Sequence, residues 1–323
     1  MELKALKNNI NHFASERIPF LFAVDFEMKN GFLLQNPLEQ KDILFRTPRA
    51  SNAKKEVATI KKDCLLKSFP ETFANYSERF TTVMAGLKRG NSFLTNLTVK
   101  TPVKTTLTLQ EIFESSTAPY SLYVPGQFVC FSPERFVSIS AGIISTTPMK
   151  GTINARIPNA EEIILSDKKE TAEHNTIVDL MRNDLGMVAE NIRVKRFRYI
   201  DRIVTAQREI LQVSSEITGK LSESYLLQLG EIIFRLLPAG SVSGAPKEST
   251  LDIIREAEKE PRGYYTGIFG YFDGDDFDSA VMIRFIEEKN GKKYFRSGGG
   301  ITIFSDAEDE YNEVIEKIYL PFV

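Results

Sequence analysis

Residues 120–147 read YSLYVPGQFVCFSPERFVSISAGIISTT. Val, Ile, Phe and Tyr dominate this stretch. Turn residues break it at Pro125-Gly126, at Ser132-Pro133 and near Gly142, so it reads as three strands in succession with no helical pattern between them. Strands that follow one another directly favour an α+β fold over a regular βαβ alternation.

Working outward, residues 110–116 read as a short helix, Phe93 to Val99 as a strand, and residues 68–89 as a helix that Gly90 ends. Pro19–Val24, Gly31–Leu34 and Ile43–Phe45 read as short strands. Towards the C-terminus, residues 161–190 and 222–236 read as mainly helical and 199–216 as extended. A glycine-rich turn from Ala239 to Pro246 leads into a helix at about 247–258. Strands are expected near 264–272, 279–287 and 293–297, and a last helix at about 306–319. No Pro/Gly/Ser-rich linker divides the chain, so one domain is expected over 1–323, with 1–89 a reduced N-terminal part and 90–323 the core.

The chain has 323 residues, with 41 Lys+Arg, 43 Asp+Glu and a formal net charge of −2. That balance gives no electrostatic reason to bind a polyanion, so nucleic acid is not expected as a partner. Two cysteines (Cys64, Cys130) and two histidines (His12, His174) exclude a disulfide framework and a zinc site of several Cys and His. Chemistry must run on carboxylates, lysines, arginines, tyrosines and backbone amides. The N-terminus does not read as a signal peptide and no window spans a membrane, so a cytoplasmic location is expected.

In the helix from Glu170 to Leu185, Ile177, Val178, Leu180, Met181 and Leu185 form the apolar face, and Glu170, Glu173 and His174 project onto it. Buried carboxylates need pairing, protonation or a cation. At i, i+3 the two glutamates repel one another. Mg²⁺ relieves both problems; so do the helix dipole or Arg and Lys partners. Glu310 and Glu313 repeat the spacing on the last helix, which Ser305-Asp306-Ala307-Glu308 is expected to open as a capping box.

The turn Gly240–Lys247, with Pro246 at the first helical position, can hold an anion on free N–H groups or simply start a helix. Ser297-Gly298-Gly299-Gly300 reads as a second such turn. Arg284 interrupts an apolar strand, sharing a face with Met282 and Ile286; a structural ion pair and a substrate carboxylate both suit it. Lys150 sits in the turn Pro148–Thr152, where most lysines are solvated.

From about residue 90 onward the chain resembles the chorismate-utilising enzymes. The matching stretches are Ser132-Pro133-Glu134-Arg135-Phe136, Pro148–Thr152, Ala172-Glu173-His174, Arg182-Asn183-Asp184-Leu185-Gly186, Gly240–Lys247, Arg262–Gly267, Ile283-Arg284, Ser297–Ile301 and Tyr311-Asn312-Glu313. Within the family it is most similar to the synthase subunits (component I) of the aminodeoxychorismate enzymes. These carry lysine at the position of Lys150, where anthranilate synthases carry a small residue. Leu94 stands where the water-using members place a lysine base.

The resemblance implies one large α+β domain of two packed antiparallel sheets with helices outside, and the site in a cleft between them. It implies Mg²⁺ on Glu173 and Glu313, with Glu170 and Glu310 acting through water. Tyr265, Arg284, Lys247 and the backbone of Gly244-Ala245 and Gly298-Gly299 would hold the two carboxylates of chorismate. Lys150 would be the nucleophile and Glu134 the acid. A free lysine, with a pKa of about 10.4, must be favoured in its neutral form to attack, and the acid must be kept protonated.

The chain departs from the family where Leu211 takes a common His position, and no Leu-Leu-Glu-Ser segment of tryptophan-regulated relatives is found. Neither cysteine lies in a glutaminase-like elbow, so ammonia is expected from a separate glutamine amidotransferase subunit or from solution. Anthranilate synthesis and a non-catalytic, chorismate-binding regulatory subunit are the alternative readings.

Overall fold

A computed structural model describes residues 1–53, 66–204 and 209–320. In chain order the elements are α1 (Leu3–Ser15), β1 (Phe20–Val24), β2 (Gly31–Gln35), β3 (Leu44–Arg46), β4 (Lys67–Ser68), α2 (Phe73–Lys88), β5 (Leu94–Lys104), α3 (Leu109–Glu114), β6 (Tyr120–Val124), β7 (Phe128–Ser132), β8 (Arg135–Ser140), β9 (Ile143–Thr146) and β10 (Met149–Asn154). Then come α4 (Ala160–Ser166), α5 (Lys168–Gly186), β11 (Glu190–Val204), β12 (Glu209–Lys220), α6 (Leu229–Arg235), β13 (Gly244–Ala245), α7 (Lys247–Glu258), β14 (Ile268–Phe272), β15 (Phe277–Val281), β16 (Phe285–Lys289), β17 (Lys292–Ile301) and α8 (Ala307–Glu316).

The strands form two antiparallel sheets flanked by helices. The first runs β10-β12-β9-β8-β15-β14-β1-β2 with β11 on β12, and the second β13-β5-β17-β16-β7-β6-β3 with β4 on β5. Strand alternation explains the layers. On β1, Phe20, Phe22 and Val24 pack with α1, α5 and α6, while Leu21 and Ala23 face the second sheet. On β7, Phe128 and Cys130 face the first sheet, and Val129 and Phe131 pack outward with α3. A further apolar cluster seats α2, α7 and α8 on β5.

The structure corrects several local expectations. Residues 120–147 hold four strands rather than three: the three breaks at Pro125-Gly126, Ser132-Pro133 and Gly142, the last with φ +74°, separate β6, β7, β8 and β9. Gly298–Gly300 is not a turn: it lies inside β17, paired with Thr98, Leu97 and Asn96. Lys150 is in β10, at a bulge between Met149 and Thr152. The expected strand 279–287 breaks at Met282–Arg284, where the chain leaves the first sheet for the second and Arg284 takes φ +53°. Arg284 therefore shares no strand face with Met282 and Ile286. Asp306, not Ser305, caps α8, accepting from the backbone N–H groups of Glu308 and Asp309. Pro246 is the N-cap of α7, not its first residue.

Gly244 has φ +134°, and a Cβ there would stand 1.8 Å from the Leu94 carbonyl oxygen. Gly244→Ala combines that overlap with a backbone region closed to L-residues, so a loss of about 2–4 kcal/mol is expected. Denaturant unfolding checks it, and a variant as stable as the parent would contradict the close approach.

Candidate active site

Two crossovers between the sheets build the centre of the site. Ser132-Pro133-Glu134 carries the chain from β7 to β8, and Met282–Arg284 carries it from β15 to β16. They brace one another: Phe131 N–H donates to the Arg284 carbonyl at 3.0 Å and Val281 N–H to the Glu134 carbonyl at 3.2 Å. The Glu134 side chain accepts from Ser241 Oγ at 2.5 Å. Burial raises its carboxyl above the usual range, against the opposing pull of Ser241, Lys150, Arg284 and Lys317. A buried carboxyl raised towards its protonated form, against the opposing charges of three cations, suits a general acid.

Lys150 Nζ lies 3.5 Å from Glu173 Oε2. A Cβ on Gly300 would come within 3.4 Å of the same nitrogen and 3.0 Å of Leu94 Cδ1. Leu94 is buried and packs in the apolar core. The bare glycine strand thus leaves room for the ammonium group.

On α8, Glu310 is buried and accepts from Ser305 Oγ at 2.7 Å. Glu313 pairs with Lys317 at 2.6 Å. A Cβ on Gly299 would stand 3.2 Å from Glu310 Oε2 and 3.8 Å from Glu313 Oε1, and one on Gly151 would stand 3.1 Å from Glu170 Oε2. The two glutamate pairs therefore approach from α5 and α8, with Lys150 and the glycine strand between them. Among the described residues no three His, Cys, Asp or Glu side chains converge on one point. Mg²⁺ takes one or two protein carboxylates and completes its shell with water and substrate oxygens, so paired hard oxygen donors fit it.

Lys317 was not singled out from the sequence. Its Nζ donates to the Gly298 carbonyl at 2.7 Å. Burial lowers its pKa, with Glu313 opposing and Arg284 and Lys150 adding to the effect. Its position four residues after Glu313 was the available signal.

Arg284 Nε donates to the Tyr319 hydroxyl at 3.0 Å. Tyr265 is buried, which pushes its hydroxyl up to about 12, and Arg262 and Arg284 oppose the shift. It therefore stays a donor at neutral pH. Lys247 turns away from free solvent, donating to the Leu236 carbonyl at 2.9 Å and pairing with Asp184 at 3.4 Å. Gly244 and Ala245 pair with Thr95 and Leu94 as β13. His174 is buried, and its pKa is lowered to about 4 by burial first and by Arg198 second. Leu211 is buried within β12. Cys130 lies between the sheets, where burial pushes its thiol up to about 12 and leaves it unreactive. Cys64 lies outside the described residues.

A family model for chorismate binding enzymes matches residues 16–321. The chain belongs to this family. It is 53% identical over 317 residues to a Haemophilus influenzae protein named an uncharacterized PabA-like protein, covering 96% of this chain and 94% of that one. It is 31% identical over 265 residues to aminodeoxychorismate synthase component 1 of Bacillus subtilis, covering 77% of this chain and 55% of that protein. The chain thus spans about half the length of that synthase. The menaquinone-specific isochorismate synthase of Escherichia coli superposes with a TM-score of 0.75 at 15% identity, covering 98% of this chain and 81% of that one, which shows the shared fold. Among the described residues no helix is long and apolar enough to cross a membrane.

Proposed function

We propose that the protein aminates chorismate at ring carbon 4 with ammonia, giving 4-amino-4-deoxychorismate and water for 4-aminobenzoate and folate synthesis. One domain carries the reaction, in the cytoplasm, and a separate glutamine amidotransferase supplies the ammonia. The observation that carries this reading is the placement of Lys150, within 3.5 Å of Glu173 and beside the Gly300 gap, with Glu134 close enough to feel its charge. A lysine there provides a nucleophile that a small residue does not.

The amine of Lys150 attacks ring carbon 2, the ring double bond shifts, and the 4-hydroxyl leaves as water with the proton of Glu134. Ammonia then adds at carbon 4, the double bond shifts back and Lys150 leaves with its electron pair. The proton that the new amine sheds returns to Glu134. Arg284, Tyr265 and Lys317 hold the carboxylates together with backbone amides of Gly244, Ala245, Gly298 and Gly299. Lys247 contributes through the loop that its bonds to Asp184 and Leu236 fix in place. Mg²⁺, held by Glu173 and Glu313 with Glu170 and Glu310 behind them, supplies charge neutralisation and orientation of the ring carboxylate when bound.

Incubation with chorismate, Mg²⁺ and an ammonium salt near pH 8, with products identified by mass and chromatography, tests the reading. Anthranilate or isochorismate as the main product overturns it. Chorismate binding without turnover replaces it with a non-catalytic subunit. The pH profile adds a sign. Because the folded-state pKa of Glu134 is raised, the acid is present below that value and lost as pH rises through it. The rate is therefore expected to fall on that alkaline limb. Glu134→Gln is expected to be slow at every pH and to lack the limb; an unchanged limb in the variant assigns it to another group.

A further inference from the structure

The crossover Ser132-Pro133-Glu134 is fixed at both ends by strand pairing. Ser132, the last residue of β7, stands opposite Tyr120 on β6 in the second sheet. Arg135, the first residue of β8, stands opposite Ala280 on β15 in the first sheet. Between them Glu134 N–H donates to Ser132 Oγ at 3.0 Å. Immediately after Arg135 the strand bulges. Ser138 faces Asp278 and Arg135 faces Ala280, so Phe136 and Val137 together oppose Ser279. A bulge takes backbone groups out of the ladder, and buried groups then need other partners. Side-chain hydroxyls supply them here. Ser279 Oγ donates to the Val137 carbonyl at 2.6 Å and accepts from Val137 N–H at 3.2 Å. Thr146 Oγ1 donates to the Phe136 carbonyl at 2.8 Å. Ser279 is fully buried and Thr146 nearly so. Bulges re-aim the residues beside them, and the residues beside this one are Glu134 and Arg135.

Three side chains join the two ends of the crossover. Arg135 Nε donates to the Tyr120 hydroxyl at 2.8 Å and to Asp278 Oδ1 at 3.1 Å, and its Nη2 reaches Asp278 Oδ2 at 3.5 Å. The Tyr120 hydroxyl in turn donates to Asp278 Oδ1 at 2.9 Å. Asp278 is fully buried and Tyr120 nearly so. The clamp is therefore closed, with Tyr120 from the second sheet and Arg135 and Asp278 from the first. A buried ion pair is often no more stabilising than apolar packing of the same volume, and its best-attested use is to fix one arrangement among several. The clamp also commits the guanidinium next in the chain to Glu134 to partners other than that carboxyl.

We propose that Tyr120, Arg135 and Asp278 are positioning residues: their clamp holds the crossover at both ends, above the bulge, and so aims the carboxyl of Glu134. The proposal rests on the reading of Glu134 as the acid, but its first test needs no substrate. Tyr120→Phe keeps the aromatic body and removes the hydroxyl that links the sheets. Amide hydrogen exchange is then compared with the parent. Exchange of Glu134 N–H, and of Val281 N–H, which donates to the Glu134 carbonyl, is expected to quicken by about tenfold, while the amides of α2 keep the parent's rates. Unchanged exchange at Glu134 and Val281 overturns the proposal.

The second test is a double-mutant cycle in kcat. Tyr120→Phe alone is expected to lower kcat by about 10–100-fold, with KM for chorismate little changed, because a misplacement of about 1 Å costs that much. In a Glu134→Gln background the same substitution is expected to cost no more than about twofold, since the group it aims is already gone. An unchanged kcat, or equal losses in the two backgrounds, overturns the proposal; a residue that served only the fold would lower both alike. Asp278→Asn, which removes the charge that holds Arg135, takes the place of Tyr120→Phe in both measurements if that variant does not fold. A wild type that yields no aminated product removes the amination reading and leaves hydrogen exchange to decide this one.

Discussion

Lys150→Ala is expected to lower formation of 4-amino-4-deoxychorismate by about 10⁴-fold or more, the scale on which loss of a nucleophile registers. Stability should hardly move. The side chains of Lys150 and Glu173 are 27% and 14% exposed and their closest approach is 3.5 Å, so the pair contributes within about 1 kcal/mol. Thermal unfolding of the variant should therefore match the parent, which separates lost chemistry from lost fold. Lys150→Arg sharpens the comparison. It keeps a cation beside Glu173 but has no amine able to attack, since a guanidinium is not deprotonated in proteins. If Lys150 only neutralised Glu173, the arginine variant would retain most of the rate. The nucleophile reading expects it to fall as far as the alanine variant, measured by single-turnover product formation. Near-normal turnover in either variant removes covalent catalysis through Lys150.

The glutamates of α5 stand out in the sequence because a carboxylate on an apolar helix face breaks a periodic pattern, whereas those of α8 stand out only by the same i, i+3 spacing on the border of the apolar face, where Glu310 is buried and Glu313 is exposed. The strand succession over 120–147 was legible because turn residues punctuate runs of Val, Ile, Phe and Tyr. The glycine strand was not. Three glycines carry no packing signal and have low strand propensity, so locally they read as a turn. Pairing with β5 on one side and the crowding of Glu310, Lys150 and Leu94 on the other make them a strand without side chains. Lys150 read as a turn residue for a related reason: its bulge is defined by the register of β12, which is remote in sequence. The crossover at Met282–Arg284 hides in a run that only Arg284 interrupts, because both sheets demand apolar residues on either side of it. Lys317 carried only a weak helical-pair signal, and its approach to Glu134 is a property of the tertiary fold. The helix α1 is absent from the sequence reading, although Leu6, Ile10 and Ala14 recur at helical spacing and all three are buried.

Arg262→Leu is expected to destabilise the fold by about 3–5 kcal/mol, the cost of leaving a buried charge without its partner. Both side chains of the pair are almost fully buried: Arg262 donates to Glu258 through Nε at 2.9 Å and Nη2 at 2.6 Å. The remaining donors go to the carbonyls of Val242 at 2.8 Å and Asn96 at 2.7 Å and to Thr266 Oγ1 at 3.4 Å, so the guanidinium fork is fully used. Its face also lies 4.4 Å from the ring centre of Phe26. Glu258 Oε1 accepts from the Thr98 backbone at 2.8 Å as well. One arginine therefore ties the end of α7, the strand β5 and the loop that presents Ser241 to Glu134. Replacing both partners, Arg262→Leu with Glu258→Leu, removes the stranded charge but still orphans Thr98 N–H and the Asn96 and Val242 carbonyls. The double variant should recover part of the loss and remain about 1–3 kcal/mol below the parent. Denaturant midpoints measured on the parent, both singles and the double resolve the terms. A single variant within about 1 kcal/mol of the parent would show that the network is not what holds the loop.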